Sequence, residues 1–306
     1  MINRKSNCRN GVVLLITLFF IVALGIVVTT IMTQSENFLR KVNIENFYTQ
    51  SNLIFYDLES ILKSELKDIN DSTGIYMVTS LPVLLNDKNS GLGIIMSCKS
   101  GATGFNLNCL GLKSDSVEFH KCYDIVESLF YKLKIEDTEK LIDTIADAID
   151  LDKEERSDET EIILENPWFK QGPIETIDRL KQIVHYYALK SEDFNSLKIP
   201  WEQYFSFVSN KIDINYINPV LASAIAPEIK PNDIESMKEK GVFPVDSLKD
   251  IGIPEDTETK LSKAGVTAYV PILKCSIELN YNDNWSKTEF YYDIEKTAIK
   301  YSETLF

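Results

Sequence analysis

Histidine is almost absent from this chain: among 306 residues only His120 and His185 occur, in unrelated contexts. No Gly-x-Ser-x-Gly elbow, no His-Glu-x-x-His helix and no glycine loop followed by Lys-Ser/Thr is found. The usual settings for a nucleophile, a general base or a bound phosphate are missing, which argues against an enzyme. Basic charge is scarce as well, 32 Lys and Arg against 46 Asp and Glu, for a formal charge of −14. Nucleic acid and anionic membrane surfaces demand cationic patches, so neither is expected as a partner. The five cysteines form no Cys-x-x-Cys pair, which weakens a zinc or thiol-redox reading. Cys8 belongs to the basic head of the chain. That leaves Cys98, Cys109, Cys122 and Cys275, for which an oxidising compartment such as the periplasm permits disulfides. Four cysteines allow three complete pairings. Cys109 and Cys122 close the shortest loop, and reduced, buried thiols are the alternative to any pairing.

Charge is also missing from one long stretch. Arg4, Lys5 and Arg9 precede Asn10-Gly11, and Val12–Met32 then runs without a charge or a break in its apolar character; the next charge is Glu36. A helix of about 20 residues crosses the roughly 30 Å hydrocarbon core of a bilayer. Basic residues before it and acids after it place the N-terminus in the cytoplasm and the rest across the inner membrane as a single-pass protein, in the periplasm. A cleaved secretory signal is disfavoured, because Thr29-Thr30-Ile31-Met32-Thr33 offers a poor cleavage site. A plain signal anchor and a prepilin-type leader, cut between Gly11 and Val12 on the cytoplasmic side, both fit.

Beyond the anchor, Leu39, Val42, Phe47, Ile54, Leu58, Ile61, Leu62 and Leu66 recur at helical spacing, with no Pro or Gly between them. The pattern predicts one long rod running out of the membrane segment to about Ile69. Ile75–Val78 and Gly93–Cys98 read as short strands, and Gly101-Ala102-Thr103-Gly104 as a tight turn. From Ser116 to about Gly252 short helices follow: 117–133, 138–149, 174–187, 201–207, 218–226, 232–241 and 244–251. The last stretch looks like half of a helix–hairpin–helix repeat. Acids surround its turn, so it reads as protein packing rather than DNA binding. Tyr269–Leu279, Thr288–Ile294 and Ala298–Tyr301 alternate and read as a meander around the turn Tyr281-Asn282-Asp283-Asn284. The expected architecture is α+β, a long N-terminal helix packed on an antiparallel sheet with an all-α unit inserted between strands. The segments expected are a leader 1–11, a membrane segment 12–32, a first sheet part 33–112, the insertion 113–265 and the last strands 266–306.

One acidic cluster has a spacing. Asp147 and Asp150 share a face at a predicted helix end, Asp152 follows, and Glu161 lies in the next loop. A helix C-terminus carries partial negative charge, so acids gathered there need a cation. Calcium, which takes six to eight oxygens, is the expected ligand, although the spacing is not that of an EF-hand.

Several stretches together resemble one family, the general secretion pathway protein K minor pseudopilins of type II secretion systems. Asn10-Gly11-Val12-Val13-Leu14-Leu15-Ile16 looks like its leader and mature N-terminus. Gly104-Phe105-Asn106-Leu107-Asn108 is similar to its Gly-(Arg)-Phe-Asn-Leu-Asn segment. Ile142–Asp152 resembles its Asp-Trp-Ile-Asp-x-Asp segment, and Glu161 stands where its Gly-Ala-Glu acid would be. Ile212-Asp213-Ile214-Asn215 with Pro219-Val220-Leu221-Ala222 resembles its Ile-Asn-Val-Asn-Thr-Ala-Pro stretch. Ala148 replaces the usual Trp, and the glycine before Glu161 is missing. The resemblance implies a pilin-like fold carrying a SAM or helix–hairpin–helix-like insertion. It implies cleavage by prepilin peptidase after Gly11 and methylation of the Val12 amine. Most pilins carry Glu at the fifth mature residue; here Ile16 stands there, which implies a place at the filament tip. The implied role is to cap and nucleate a pseudopilus with I-like and J-like minor pseudopilins. A minor pilin of a type IV pilus or competence system, a signal-anchored binding or sensor domain, and an anchored hydrolase are the competing classes.

Overall fold

The computed structural model describes residues 7–87, 91–281 and 284–305; the side chains of 7–24 and of 27 lie outside the description. The leader 1–11 and most of the apolar segment 12–32, with Gly11, Val12 and Ile16, therefore fall outside the described side chains. Among the described residues no helix is long and apolar enough to cross a membrane.

Helix α1 (Asn7–Glu65) is a single rod. Its outer half carries apolar side chains at helical spacing, and one face of it is buried: Phe47, Leu58, Leu62 and Leu66. These pack on Leu273, Cys275, Ile277, Leu279 and Phe290 of the sheet. Phe55 meets Phe290 edge to face at 5.4 Å between ring centroids. The buried hydroxyls of Ser51 and Ser286 bond each other at 3.0 Å, a polar contact inside an apolar seam.

Helix α2 (Ser72–Ser80) follows, capped by the Asp71 carboxylate, which accepts from the Gly74 amide. Ile75–Val78 is thus helical rather than the strand its β-branched residues suggest. The N-cap fixes the first turn, and Ile75 is buried as a helix residue. Strands β1 (Val83–Asp87) and β2 (Leu92–Ser100) come next. After a 3₁₀ turn at Leu107–Gly111 the chain enters the insertion. This holds α3 (Val117–Lys132), α4 (Thr138–Ile149), α5 (Ile162–Glu165), α6 (Ile177–Ser191), β3 (Ile212–Asp213), α7 (Pro219–Ile225), α8 (Pro231–Glu239), α9 (Glu255–Lys263) and β4 (Val266–Thr267). Strands β5 (Ile272–Tyr281), β6 (Asn284–Asp293) and β7 (Ala298–Leu305) return to the sheet, whose order is β1-β2-β5-β6-β7. All its pairs are antiparallel. The fold is α+β, and its sheet opens at Val83 rather than near Ile75.

The insertion is not wholly helical, because β3 and β4 pair in parallel. Residues 201–207, expected as a helix, give only a 3₁₀ turn at Trp201–Gln203. Trp201 and Phe205 turn inward instead, stacking at 5.9 Å, with Phe130 edge-on to both. That trio sits in a large apolar cluster of the insertion, separate from the seam beneath α1. The 244–251 stretch likewise reduces to a 3₁₀ turn at Leu248–Ile251. Gly252 closes it in the left-handed region, at φ +73°.

Candidate functional site

Three features of this architecture bear on function: an acidic loop in the insertion, the joint between insertion and sheet, and the outward surface of α1.

The acidic loop is built on α4. Asp137 caps its start by accepting from the Lys140 amide at 3.0 Å. The helix buries Leu141, Ile142, Ile145, Ala146, Ala148 and Ile149. Asp147 lies on the same inner side with no exposure to solvent. Its Oδ1 accepts from Arg156 Nε at 2.8 Å; Oδ2 accepts from the Arg156 amide at 3.1 Å and from Thr160 Oγ1 at 2.6 Å. Asp150 caps the helix end, and its Oδ2 accepts from Arg156 Nη2 at 2.7 Å. Asp152 turns away and accepts from the Glu154 amide at 2.9 Å. Glu161 is fully buried; its Oε1 accepts from the Ile163 amide and from Gln171 Nε2.

Burial raises the pKa of Asp147, against the lowering pull of Thr160 and Arg156. Burial also raises Asp150, opposed by Arg156. Glu161 is pushed up to about 7, first by burial and then by the charges of Asp147, Asp150 and Asp152. Its Oε2 and Asp150 Oδ1 have no hydrogen-bond partner among the described residues.

The structure thus brings Asp147 and Asp150 onto one guanidinium and leaves Asp152 and Glu161 to other partners. Among the described residues no group of three or more His, Cys, Asp or Glu converges on a point that could hold a metal ion. As placed, these carboxylates do not fit calcium. Arg156 was the residue that sequence reasoning passed over. It lies among acids from Glu154 to Glu161 and reads there as one more solvated charge.

The joint is made by Ile212-Asp213-Ile214-Asn215. The Ile212 and Ile214 amides donate to Gly265 and Thr267, and the Asp213 amide donates to Ala102 O at 2.8 Å. Asn215 reaches three segments at once. Its amide donates to Asp213 Oδ1, its Nδ2 donates to Val245 O and to Ala268 O, and its Oδ1 accepts from the Val245 amide. Ser72 Oγ also donates to Ala268 O at 2.6 Å, which ties α2 to the same point. A side chain with both donors and an acceptor is required here, which is why Asn serves.

Burial pushes the neighbouring Asp213 up to about 7. Its unfolded value is near 4, so between the two the folded state holds more protons and loses stability as pH rises. Asp213→Asn removes this slope. Its stability advantage over the parent is expected to widen by about 2 kcal/mol between roughly pH 5 and pH 8, read by urea unfolding at each pH. A constant gap contradicts the buried, protonatable Asp213.

The surface of α1 has two apolar faces. Opposite the buried Phe47–Leu66 face, about half a helical turn away, Leu39, Leu53 and Tyr56 point to solvent. Leu53 and Tyr56 are one three-residue step apart, and Leu39 stands about four helical turns before Leu53 on the same side.

Cys98, Cys109, Cys122 and Cys275 form two disulfides, Cys98–Cys275 across β2 and β5, and Cys109–Cys122 between the 3₁₀ turn and α3.

No family model matches the chain. No curated protein matches it either. Among solved structures, one chain of the GspK-GspI-GspJ complex from the enterotoxigenic Escherichia coli type 2 secretion system superposes with a TM-score of 0.61. The match covers 87% of this chain and 99% of that one, at 14% identity. The fold is the same. At that identity the likeness establishes architecture, the long helix, the sheet and the insertion together, since nearly all of the neighbour is matched.

Proposed function

We propose that this chain is a K-like minor pseudopilin of a type II secretion system. It caps and helps to nucleate the periplasmic pseudopilus, supporting protein export as a structural subunit rather than an enzyme. The observation that carries the reading is α1: a 59-residue rod with one face on its own sheet and a second apolar face left open to a neighbour. The fold shared with a chain of the GspK-GspI-GspJ complex supports it. Two disulfides suit a periplasmic domain. The partners are I-like and J-like minor pseudopilins, which dock through helix α1.

Prepilin peptidase cuts after Gly11, the Val12 amine is methylated, and residues 12–32 hold the subunit in the inner membrane before assembly. Ile16 leaves the anchor without the acid that would answer the α-amino charge of a subunit above it, since an unpaired charge in an apolar filament core is costly. The bulky insertion blocks further stacking. Both features support a position at the tip.

Mass spectrometry of the chain from membranes of cells that carry prepilin peptidase tests the maturation step. The expected N-terminus is a methylated Val12. An intact Met1 would overturn the pseudopilin reading.

A further inference from the structure

We infer that Arg156 is the cation of the acidic cluster, so that this insertion closes on its own guanidinium and takes no stability from calcium. Asp147, Asp150 and Asp152 crowd the C-terminal end of α4, where the helix itself adds partial negative charge. Something positive must lie against them, because an isolated buried carboxylate is costly. Arg156 meets that need in a way few groups can. Its planar head gives Nε to Asp147 at 2.8 Å and Nη2 to Asp150 at 2.7 Å, while its own backbone amide gives a third bond to Asp147. A guanidinium is charged at every accessible pH and its donors are fixed in a fork, so one residue binds two acids and closes its own loop. The bonds to Asp150 and Asp147 hold the Arg156 charge more firmly still, against the opposing effect of burial.

The rest of the loop follows the same plan. Glu159 pairs with Lys140 of α4 at 3.5 Å and with Lys190 of α6 at 3.4 Å, and Lys190 also pairs with Glu165. Thr160 seals the inner side by bonding Asp147 and the Ser157 carbonyl. The cations that organise residues 150–165 are side chains of this chain.

The test is thermal unfolding of the full-length protein in detergent, with millimolar calcium chloride or with a chelator. The parent is expected to melt at the same temperature in both. Arg156→Gln is expected to melt about 5–10 °C lower, because it strands the buried Asp147. The pair Asp147→Asn with Arg156→Gln is expected to recover most of that loss, since the cost lies in the unpaired charge. Failure of Arg156→Gln to fold, with the paired variant folding, supports the assignment equally. A parent that melts several degrees higher in calcium than in chelator overturns it. So does an Arg156→Gln protein as stable as the parent, or a paired variant no better than the single one.

Discussion

Replacing Cys98 and Cys275 together by serine is expected to destabilise the protein by about 5 kcal/mol, against about 3 kcal/mol for Cys109 and Cys122. The difference is one of chain topology. Cys98 and Cys275 face each other in register on β2 and β5, yet the chain leaves the sheet after one and returns before the other, a separation of 177 residues. The bond therefore denies the unfolded chain the freedom of the whole insertion. Cys109 and Cys122 are 13 apart and restrict far less. Loop-closure entropy grows with the logarithm of loop length, which makes the gap modest but ordered. Denaturant unfolding of the two double variants under oxidising conditions reads it directly. Equal losses, or a larger loss for the short loop, contradict the pairing of β2 with β5 as the bond that closes the chain around the whole insertion.

Gly104→Ala is the second large effect, with an expected loss of about 3 kcal/mol or more. The chain at Gly104 crosses directly over Phe205. The Phe105 amide donates to Tyr204 O at 2.8 Å, and the Ser206 amide donates to Phe105 O at 3.1 Å. A Cβ on residue 104 would lie 2.4 Å from the Phe205 carbonyl carbon and 2.7 Å from its Cα and N. All three are backbone atoms, held by those hydrogen bonds and by the packing of Phe205 on Trp201, so none can give way cheaply. Gly93→Ala is the control: its nearest neighbour would be Asn280 Cβ at 4.0 Å, an ordinary contact. If the two variants melt together, the close crossing is wrong.

This crossing shows how much of the fold was legible in the sequence. The Gly104–Asn108 stretch carries part of the family resemblance, but its glycines read only as a turn. That one of them answers a residue a hundred positions later is a tertiary fact with no local signal. The same crossing explains residues 201–207, whose apolar spacing suggested a helix and whose Phe205 is instead pinned beside Phe105. Helix α1 was legible because nothing breaks its period, and the β5–β6 hairpin because Val, Ile, Tyr and Phe alternate across a turn. Helix α9 passed unread because it is mostly charged, burying only Thr257 and Leu261. Its sign was Pro254 followed by Glu255 and Asp256 at the positive end of a helix. At the candidate site Asp147 and Asp150 meet on one guanidinium, Asp147 from within α4 and Asp150 as its extended C-cap. The sequence did not show which cation would meet them. Arg156 is nine residues on from Asp147, and only the closed loop brings it back.

We propose that the open face of α1 is where I-like and J-like pseudopilins dock. Light scattering of the purified chain mixed with I-like and J-like subunits from the same cell measures it most directly. A single complex containing all three chains is expected, lost when Leu53→Glu and Tyr56→Glu place charge on the outward face while the melting temperature of the chain alone stays unchanged. A chain that remains alone in the mixture, or a complex indifferent to those two charges, contradicts it.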